Sequence, residues 1–283
     1  MNMHGILARA AAPVAFLAFH PSAARADDNP PPPSSISGKP VHIGARSCAF
    51  AGRTSWALRE LGAHADFEHV EVALGAARPA WLREINPCGG TVPVILDARG
   101  ARVEGNSAAL VAWLFERSAT APPTPASARA VADEFDRTTL GALYAMLRTD
   151  APPGSRAWHD ARARVEAALD AIEARFVASS SAGPYFLGDA LSLADIAIFS
   201  VLHRFKASLR EFRAYELISA QRTPRLARAL AACSARPAFE ESQPTPAEVV
   251  QFYSSDTTYN PNRKSEALDA WVGRMLAGSQ LAP

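Results

Sequence analysis

Val41-His42-Ile43-Gly44-Ala45-Arg46-Ser47-Cys48-Ala49-Phe50-Ala51-Gly52-Arg53 decides how this chain is read. Val41–Gly44 has the composition of a short strand, and an apolar helical pattern runs from Arg53 to Leu61 before Gly62 stops it. Cys48 thus stands where a strand hands over to a helix. A thiol at a helix's first turn meets unpaired N–H groups and the positive end of the helix dipole, and both favour the thiolate. The expectation is a lowered pKa, which turns an inert sulfur into a nucleophile at neutral pH. The competing reading is that of most free cysteines, a small buried hydrophobe. Ser47 is the nearest alternative hydroxyl, and the absence of a tyrosine near the first strand argues against a tyrosine-dependent mechanism.

Moving outward, Phe67–Val72 is rich in strand formers, and Pro79–Ile85 is a helical segment that ends before Asn86-Pro87. Val92–Leu96 and Ala101–Glu104 read as strands joined across the turn Asp97-Ala98-Arg99-Gly100. Pro93 cannot donate to a sheet, so its place inside a strand pattern needs a reason. An edge strand would supply one. A cis Val92-Pro93 peptide supplies another, turning the Val92 backbone outward to pair with an extended ligand. Ser107–Glu116 closes the unit as a helix, with Asn106-Ser107 at its start. That start suits either an anionic carboxylate or plain N-capping by Asn106.

The second half of the chain reads as all-helical beyond the break at Thr120-Ala121-Pro122-Pro123-Thr124-Pro125. Trp158, Ala161, Val165, Leu169, Ile172 and Phe176 recur at helical spacing, the pattern of a bundle core. Ser192 and Asp195 have the spacing of a capping box, with Leu191 and Ile196 placed as a hydrophobic staple, so this carboxylate is structural. The organisation expected is a targeting segment over 1–26, a proline-rich linker over 27–39 and a mixed strand-helix domain over 40–117. A linker over 118–130, a helical domain over 131–253 and a polar tail over 254–283 complete it.

Composition narrows the function classes. With 283 residues, 48% apolar and 20% charged, the chain has material for two modest cores and is no disordered protein. A net charge of +1 with interspersed signs implies neither nucleic acid nor an anionic membrane as partner. Cys48, Cys88 and Cys233 form no disulfide framework and no metal-ligand spacing; Cys88 reads as a loop residue and Cys233 as core. Residues 1–26 lack Asp and Glu, carry an apolar run from Ala10 to Phe19 and end in Ala24-Arg25-Ala26. A cleavable secretory signal, an acid-poor organellar presequence or a chance alanine-rich extension in a cytoplasmic protein are the readings, with the organelle preferred for reduced thiols.

Several segments, in order, resemble the glutathione transferase superfamily and within it the cysteine-bearing lambda and omega classes. Cys48-Ala49-Phe50-Ala51-Gly52-Arg53 is similar to the pattern C-P-F-A-x-R. Arg78-Pro79-Ala80-Trp81, Asn86-Pro87, Val92-Pro93-Val94 and Asn106-Ser107 follow. Gly188-Asp189-Ala190-Leu191-Ser192-Leu193-Ala194-Asp195-Ile196, His203-Arg204-Phe205 and Thr245–Tyr253 extend the likeness into the helical half, so that it covers residues 40 to 253. Four features depart from the pattern: Ala49 in place of proline, Gly52 in the first helical turn, a longer loop from Asn86 to Val92, and Asn106 in place of an acid.

The resemblance implies a thioredoxin-like domain followed by a helical bundle, with glutathione as co-substrate and no metal. It implies Cys48 as the catalytic thiol and Phe50, Arg78, Val92, Pro93, Asn106 and Ser107 as the glutathione site. Val92 would pair with the cysteinyl part, Ser107 would take the γ-glutamyl carboxylate and Arg78 the glycyl carboxylate. The activity implied is thiol transfer on mixed disulfides or small oxidised substrates such as dehydroascorbate, by a monomer or homodimer. Conjugation of glutathione to electrophiles, and a non-catalytic ligand carrier, are the alternatives.

Overall fold

The protein, as a computed structural model, is described over residues 29–33, 38–74, 77–122, 124–179 and 182–255. The targeting segment expected over 1–26 and nearly all of the tail expected after 253 lie outside them. Strands β1 (Val41–Gly44), β2 (Glu68–Glu71) and β3 (Val94–Leu96) form one sheet in the order β2-β1-β3. β1 runs parallel to β2, with Val41 opposite Glu68, and antiparallel to β3, with Ile43 opposite Val94. All four residues of β1 are buried, as a central strand requires.

The fourth strand expected at Ala101–Glu104 does not form. Its turn closes as expected, the Asp97 carboxylate accepting the Arg99 and Ala101 N–H groups at 2.9 Å each. Beyond it the pairing is one isolated bridge, Leu96 to Arg102. Gly105, at φ 121°, then swings the chain into the next helix before an edge can extend. The first part of the expected linker also has a structural role. Asn29 donates to Ala77 O at 2.6 Å and accepts from Ala73 N at 3.1 Å, and Trp81 Nε1 donates to Pro30 O at 3.1 Å. These residues strap the connection that follows β2.

Helix α1 (Ala49–Glu60) starts directly after Cys48, four residues before the helical pattern in the sequence becomes apolar. α2 (Leu82–Ile85) is a single turn, and α3 (Ser107–Arg117) follows the hairpin. α4 (Ala126–Glu134) begins inside the stretch expected as linker and continues through a π-helical turn, Phe135–Thr139, into α5 (Leu140–Arg148). The remaining helices are α6 (Arg156–Ala178), α7 (Leu193–Arg213), α8 (Pro224–Ser234), α9 (Pro237–Ser242) and α10 (Pro246–Ser255). The stripe from Trp158 to Phe176 faces the core as its spacing predicts, although Ala161 is only half-buried.

α7 forms the centre of the larger core and is buried over most of its length. Its start is the expected capping box: the Ser192 N–H and hydroxyl donate to Asp195 Oδ2 at 2.8 and 2.6 Å, and Phe186 N–H donates to Oδ1 at 2.9 Å. Burial raises the Asp195 carboxyl to about 6 despite these donors. Helix α1 is common to both halves of the protein, packing on α3, α7 and α9. Trp56 on α1 meets Phe239 of α9 edge to face at 4.8 Å between centroids.

His42 on β1 is buried, with its Nε2 2.8 Å from Thr54 Oγ1. Burial first, then the neighbouring His69, His64 and Arg59, depress its pKa to about 3. An unfolded histidine takes up its proton near pH 6.5, so the unfolded state binds more protons than the folded state between about 6.5 and 3. The His42 contribution to stability should therefore fall as pH drops through that window, partly offset below about pH 6 by Asp195, whose raised carboxyl takes up its proton first in the folded state. Urea unfolding at pH 7, 6, 5 and 4 should show this loss, and His42→Gln should flatten the slope even if it lowers the plateau.

Candidate active site

Cys48 is the N-cap of α1, in extended backbone conformation (φ −87°, ψ 121°). Its N–H donates to Ala45 O at 2.8 Å, and its carbonyl accepts from Gly52 N at 2.9 Å, locking the residue between strand and helix. The half-buried thiol donates to Val92 O at 3.6 Å. The Val92-Pro93 peptide is cis, as expected. Two predicted site residues thus come together directly, Cys48 and Val92. The loop before them turns through Gly89 and Gly90 at φ 76° and 63°, and Asn86 Nδ2 ties its ends by donating to Thr91 O at 2.9 Å.

The direction of the thiol's pKa is the reverse of the sequence expectation. Burial pushes the Cys48 thiol up. The Ala51 and Phe50 N–H groups and the charges of Arg204 and Arg53 pull it down without cancelling that rise. A helix start supplies only about half a charge. Removing a thiolate from water costs more, and the result is a neutral thiol that donates to a carbonyl.

The other predicted residues have definite partners. Ser107 is the first residue of α3, and its hydroxyl accepts from Arg53 Nη1 at 3.0 Å. Asn106 caps α3, its Oδ1 accepting the Ala109 N–H at 2.9 Å, so that oxygen is engaged in capping. Arg78 Nη1 donates to Gly89 O at 3.0 Å and so holds the loop before Val92. The Phe50 ring lies 5.3 Å from the guanidinium carbon of Arg53.

Sequence reasoning missed four residues that organise this region. Arg53 was read only as part of a motif, yet its fully buried guanidinium joins four elements. It donates to Ala197 O on α7 at 2.7 Å, to Ser107 on α3, and to both carboxylate oxygens of Asp136 at 2.8 and 2.5 Å. Asp136 lies in the π-helical turn, a local departure from α-helical spacing of the kind found at functional sites. Arg46 pairs with Glu248 on α10 at 3.1 Å and donates to Gln243 O at 3.1 Å. Arg204 on α7 donates to Arg46 O at 2.9 Å.

Gly52 explains itself in this setting. A Cβ there would lie 2.8 Å from both Arg204 Nη2 and Gln243 Oε1, so the glycine admits two buried side chains beside the first turn of α1. A glycine within a helix costs about 0.8–1 kcal/mol against alanine. Its signal in the sequence was legible as a departure, but its cause was not.

Fold and site together describe a thioredoxin-like domain with a cysteine at its first helix, joined to a helical domain. Family models for the glutathione S-transferase N-terminal domain match residues 47–117 and for the C-terminal domain residues 128–232. The chain belongs to the glutathione S-transferase family. A curated relative, glutathione S-transferase U16 of Arabidopsis thaliana, is 30% identical over 169 residues, covering 57% of this chain and 70% of the relative. The Tau-class enzyme of mango, Mangifera indica, shares the fold with TM-score 0.67 at 21% identity, covering 77% of this chain and 98% of that one. Rice GST1, solved in complex with glutathione, gives 0.62 at 23% identity over 76% of this chain and 96% of its own. Glutathione transferase Omega 2C of Trametes versicolor gives 0.60 at 21% identity over 77% and 97%.

Asp136→Ala leaves the Arg53 guanidinium buried with its charge unpaired, which costs about 3–5 kcal/mol. Chemical denaturation of the purified variant should show a loss of that size, larger than for Arg99→Ala, which breaks the surface pair Arg99–Asp97 at its exposed member. The thiols give a second expectation. Cys88 is exposed and Cys233 buried. Iodoacetamide at pH 7, followed by peptide mass spectrometry, should label Cys88 ahead of Cys48, and Cys48 labelling should keep rising above pH 8.5.

Proposed function

We propose that this glutathione transferase is a thiol transferase working through Cys48. The observation that supports it is the Cys48 thiol at the N-cap of α1, donating to the Val92 carbonyl beside a cis proline. That carbonyl is also the acceptor that the cysteinyl N–H of a bound glutathionyl group would use, in strand-like pairing. Binding would then take the Val92 carbonyl away from the thiol proton, while burial still opposes ionisation. Against that burial, the Ala51 and Phe50 N–H groups and two arginines favour the anion. Glutathione is the co-substrate in this reading, held through Phe50, Arg78, Val92, Pro93, Asn106 and Ser107.

The steps balance without an external oxidant. The Cys48 S–H bond ionises and its proton leaves to solvent. The thiolate attacks the glutathionyl sulfur of a mixed disulfide, forming a Cys48–glutathione disulfide and expelling the partner thiolate, which takes up a proton. A second glutathione thiolate attacks that disulfide, giving oxidised glutathione and restoring the Cys48 thiolate. No cysteine lies two or three residues from Cys48 in the sequence, so resolution is assigned to glutathione. Residues 1–26 are proposed to direct the protein to an organelle where glutathione keeps thiols reduced.

One observation favours a second reading. A thiol held neutral by burial can donate a hydrogen bond, as a hydroxyl would, to the thiolate of glutathione itself. Cys48 would then support conjugation to electrophiles, in keeping with a curated relative named simply as a glutathione S-transferase.

Turnover of a glutathione–cysteine mixed disulfide beside turnover of an aryl halide separates the two. Cys48→Ala should lower disulfide turnover about a thousandfold or more, as loss of a nucleophile does, while glutathione binding by calorimetry stays within a few-fold of the parent. Retention of disulfide turnover would remove Cys48 from the mechanism. Loss of aryl-halide turnover alone would select the conjugating enzyme.

A further inference from the structure

Arg204 is 1% exposed, yet it faces no carboxylate in a hydrogen bond. One nitrogen, Nη1, donates to Arg46 O; Nε and Nη2 have no hydrogen-bond partner among the described residues. A buried guanidinium left with two idle donors is costly, since desolvation is compensated only when an anion or acceptors replace the lost water. Its position says which anion could do so. Arg204 spans the loop between β1 and α1, bonded to Arg46 two residues before Cys48 and with Nη2 against Gly52, whose N–H is bonded to the Cys48 carbonyl.

We propose that the idle Nε–Nη2 edge of Arg204 is the counter-charge for the sulfur of Cys48 when it becomes negative, making Arg204 a positioning residue for this thiol. The inference rests on the reading of Cys48 as the reacting thiol, and it adds the group that makes a buried sulfur ionisable. In the thiol form the proton is held toward Val92 O and the guanidinium edge has nothing to bind. When the S–H bond ionises, the electron pair stays on sulfur and the proton leaves to solvent, and the guanidinium gains a nearby negative charge to balance its own. The interaction runs both ways: Arg204 favours the Cys48 anion, and Cys48 is the foremost charge favouring the protonated guanidinium. Glycine at 52 fits this role, because any side chain there would push Nη2 away.

Other charges face the pair. Arg53 on α1 assists Arg204, while its own charge is committed to Asp136. Arg46 is paired with Glu248 on α10, and its N–H donates to Glu71 on β2, whose carboxylate is also within electrostatic reach of Arg204. Tyr144 on α5, Tyr253 on α10 and His203 on α7 also surround the guanidinium, and the Gln243 amide oxygen lies beside Gly52 with Nη2. None of these takes a hydrogen bond from Nε or Nη2.

The test is the pH profile of Cys48 alkylation by iodoacetamide, read at the Cys48 peptide by mass spectrometry in the full chain without glutathione. Arg204→Gln, which removes the charge and keeps a polar side chain, should move the midpoint up by at least one pH unit, cutting labelling about tenfold below it. Arg204→Lys should recover most of that shift, which a merely structural role for the arginine would not produce. An unchanged midpoint in a folded Arg204→Gln protein overturns the proposal, as does a lysine variant that titrates like glutamine. If Arg204→Gln does not fold, Gly52→Ala decides the matter by displacing Nη2 while keeping the charge. Its midpoint should rise, and an unshifted one overturns the proposal. Because no turnover is measured, this result is independent of whether Cys48 serves thiol transfer or conjugation.

Discussion

The buried guanidinium of Arg53 is the constraint on which the architecture depends. Helix α1 belongs by sequence to the small sheet domain, but it must also cover the helical domain, and Arg53 is where α1 binds α3, α7 and the π-helical turn at once. Its five donors form a rigid planar fork, which suits it to meet a backbone carbonyl on α7, a hydroxyl at the start of α3 and a bidentate carboxylate at once. Lysine could not do this with three donors on one nitrogen. The π-helical turn at Phe135–Thr139 carries Asp136, which faces the fork. With those contacts made, the rotation and depth of α1 are determined, and so is the position of the cysteine that precedes it.

Placement and reactivity then pull against each other. A cysteine held so firmly between strand and helix gains the helix start but loses water, and loss of water dominates. The protein meets this with arginines, strongly basic groups that stay charged when buried. Arg53 and Arg204 both lie close enough to act on the sulfur, from α1 and α7 respectively. Gly52 is the steric consequence: one residue of helix propensity is given up so that Arg204 and Gln243 can approach the first turn. Arg46 adds a clamp from the other side, tying the loop before Cys48 to Glu248 and the Gln243 carbonyl. The small domain's reactive loop is therefore built largely by residues of the helical domain.

Local chemistry in the chain was sufficient for much of the rest. The β1 strand, the turn at Asp97–Gly100, the capping box at Ser192 and Asp195 and the helical stripe from Trp158 to Phe176 each follow from nearest-neighbour rules, and each formed. Local rules failed at two places, one for a backbone reason next door and one for a distant partner. The edge strand at Ala101–Glu104 shrank to one bridge because Gly105 diverts the chain into α3. The proline-rich stretch near residue 30 docks because Asn29 finds two backbone groups more than forty residues away.

The sequence by itself determined the order of elements, the cysteine at the junction of strand and helix, and the succession of motifs that marks the family. These depend on hydrophobic period, capping and turn chemistry, which act over a few residues. Only the tertiary structure decided which way the thiol's pKa moves, what Arg53 and Arg204 are for, and why residue 52 is glycine. Burial and the pairing of buried charges depend on contacts between residues 46 and 248, 53 and 136, or 52 and 204. No pattern within a window of the chain carries that information, because the energy of a charge is set by what surrounds it in space.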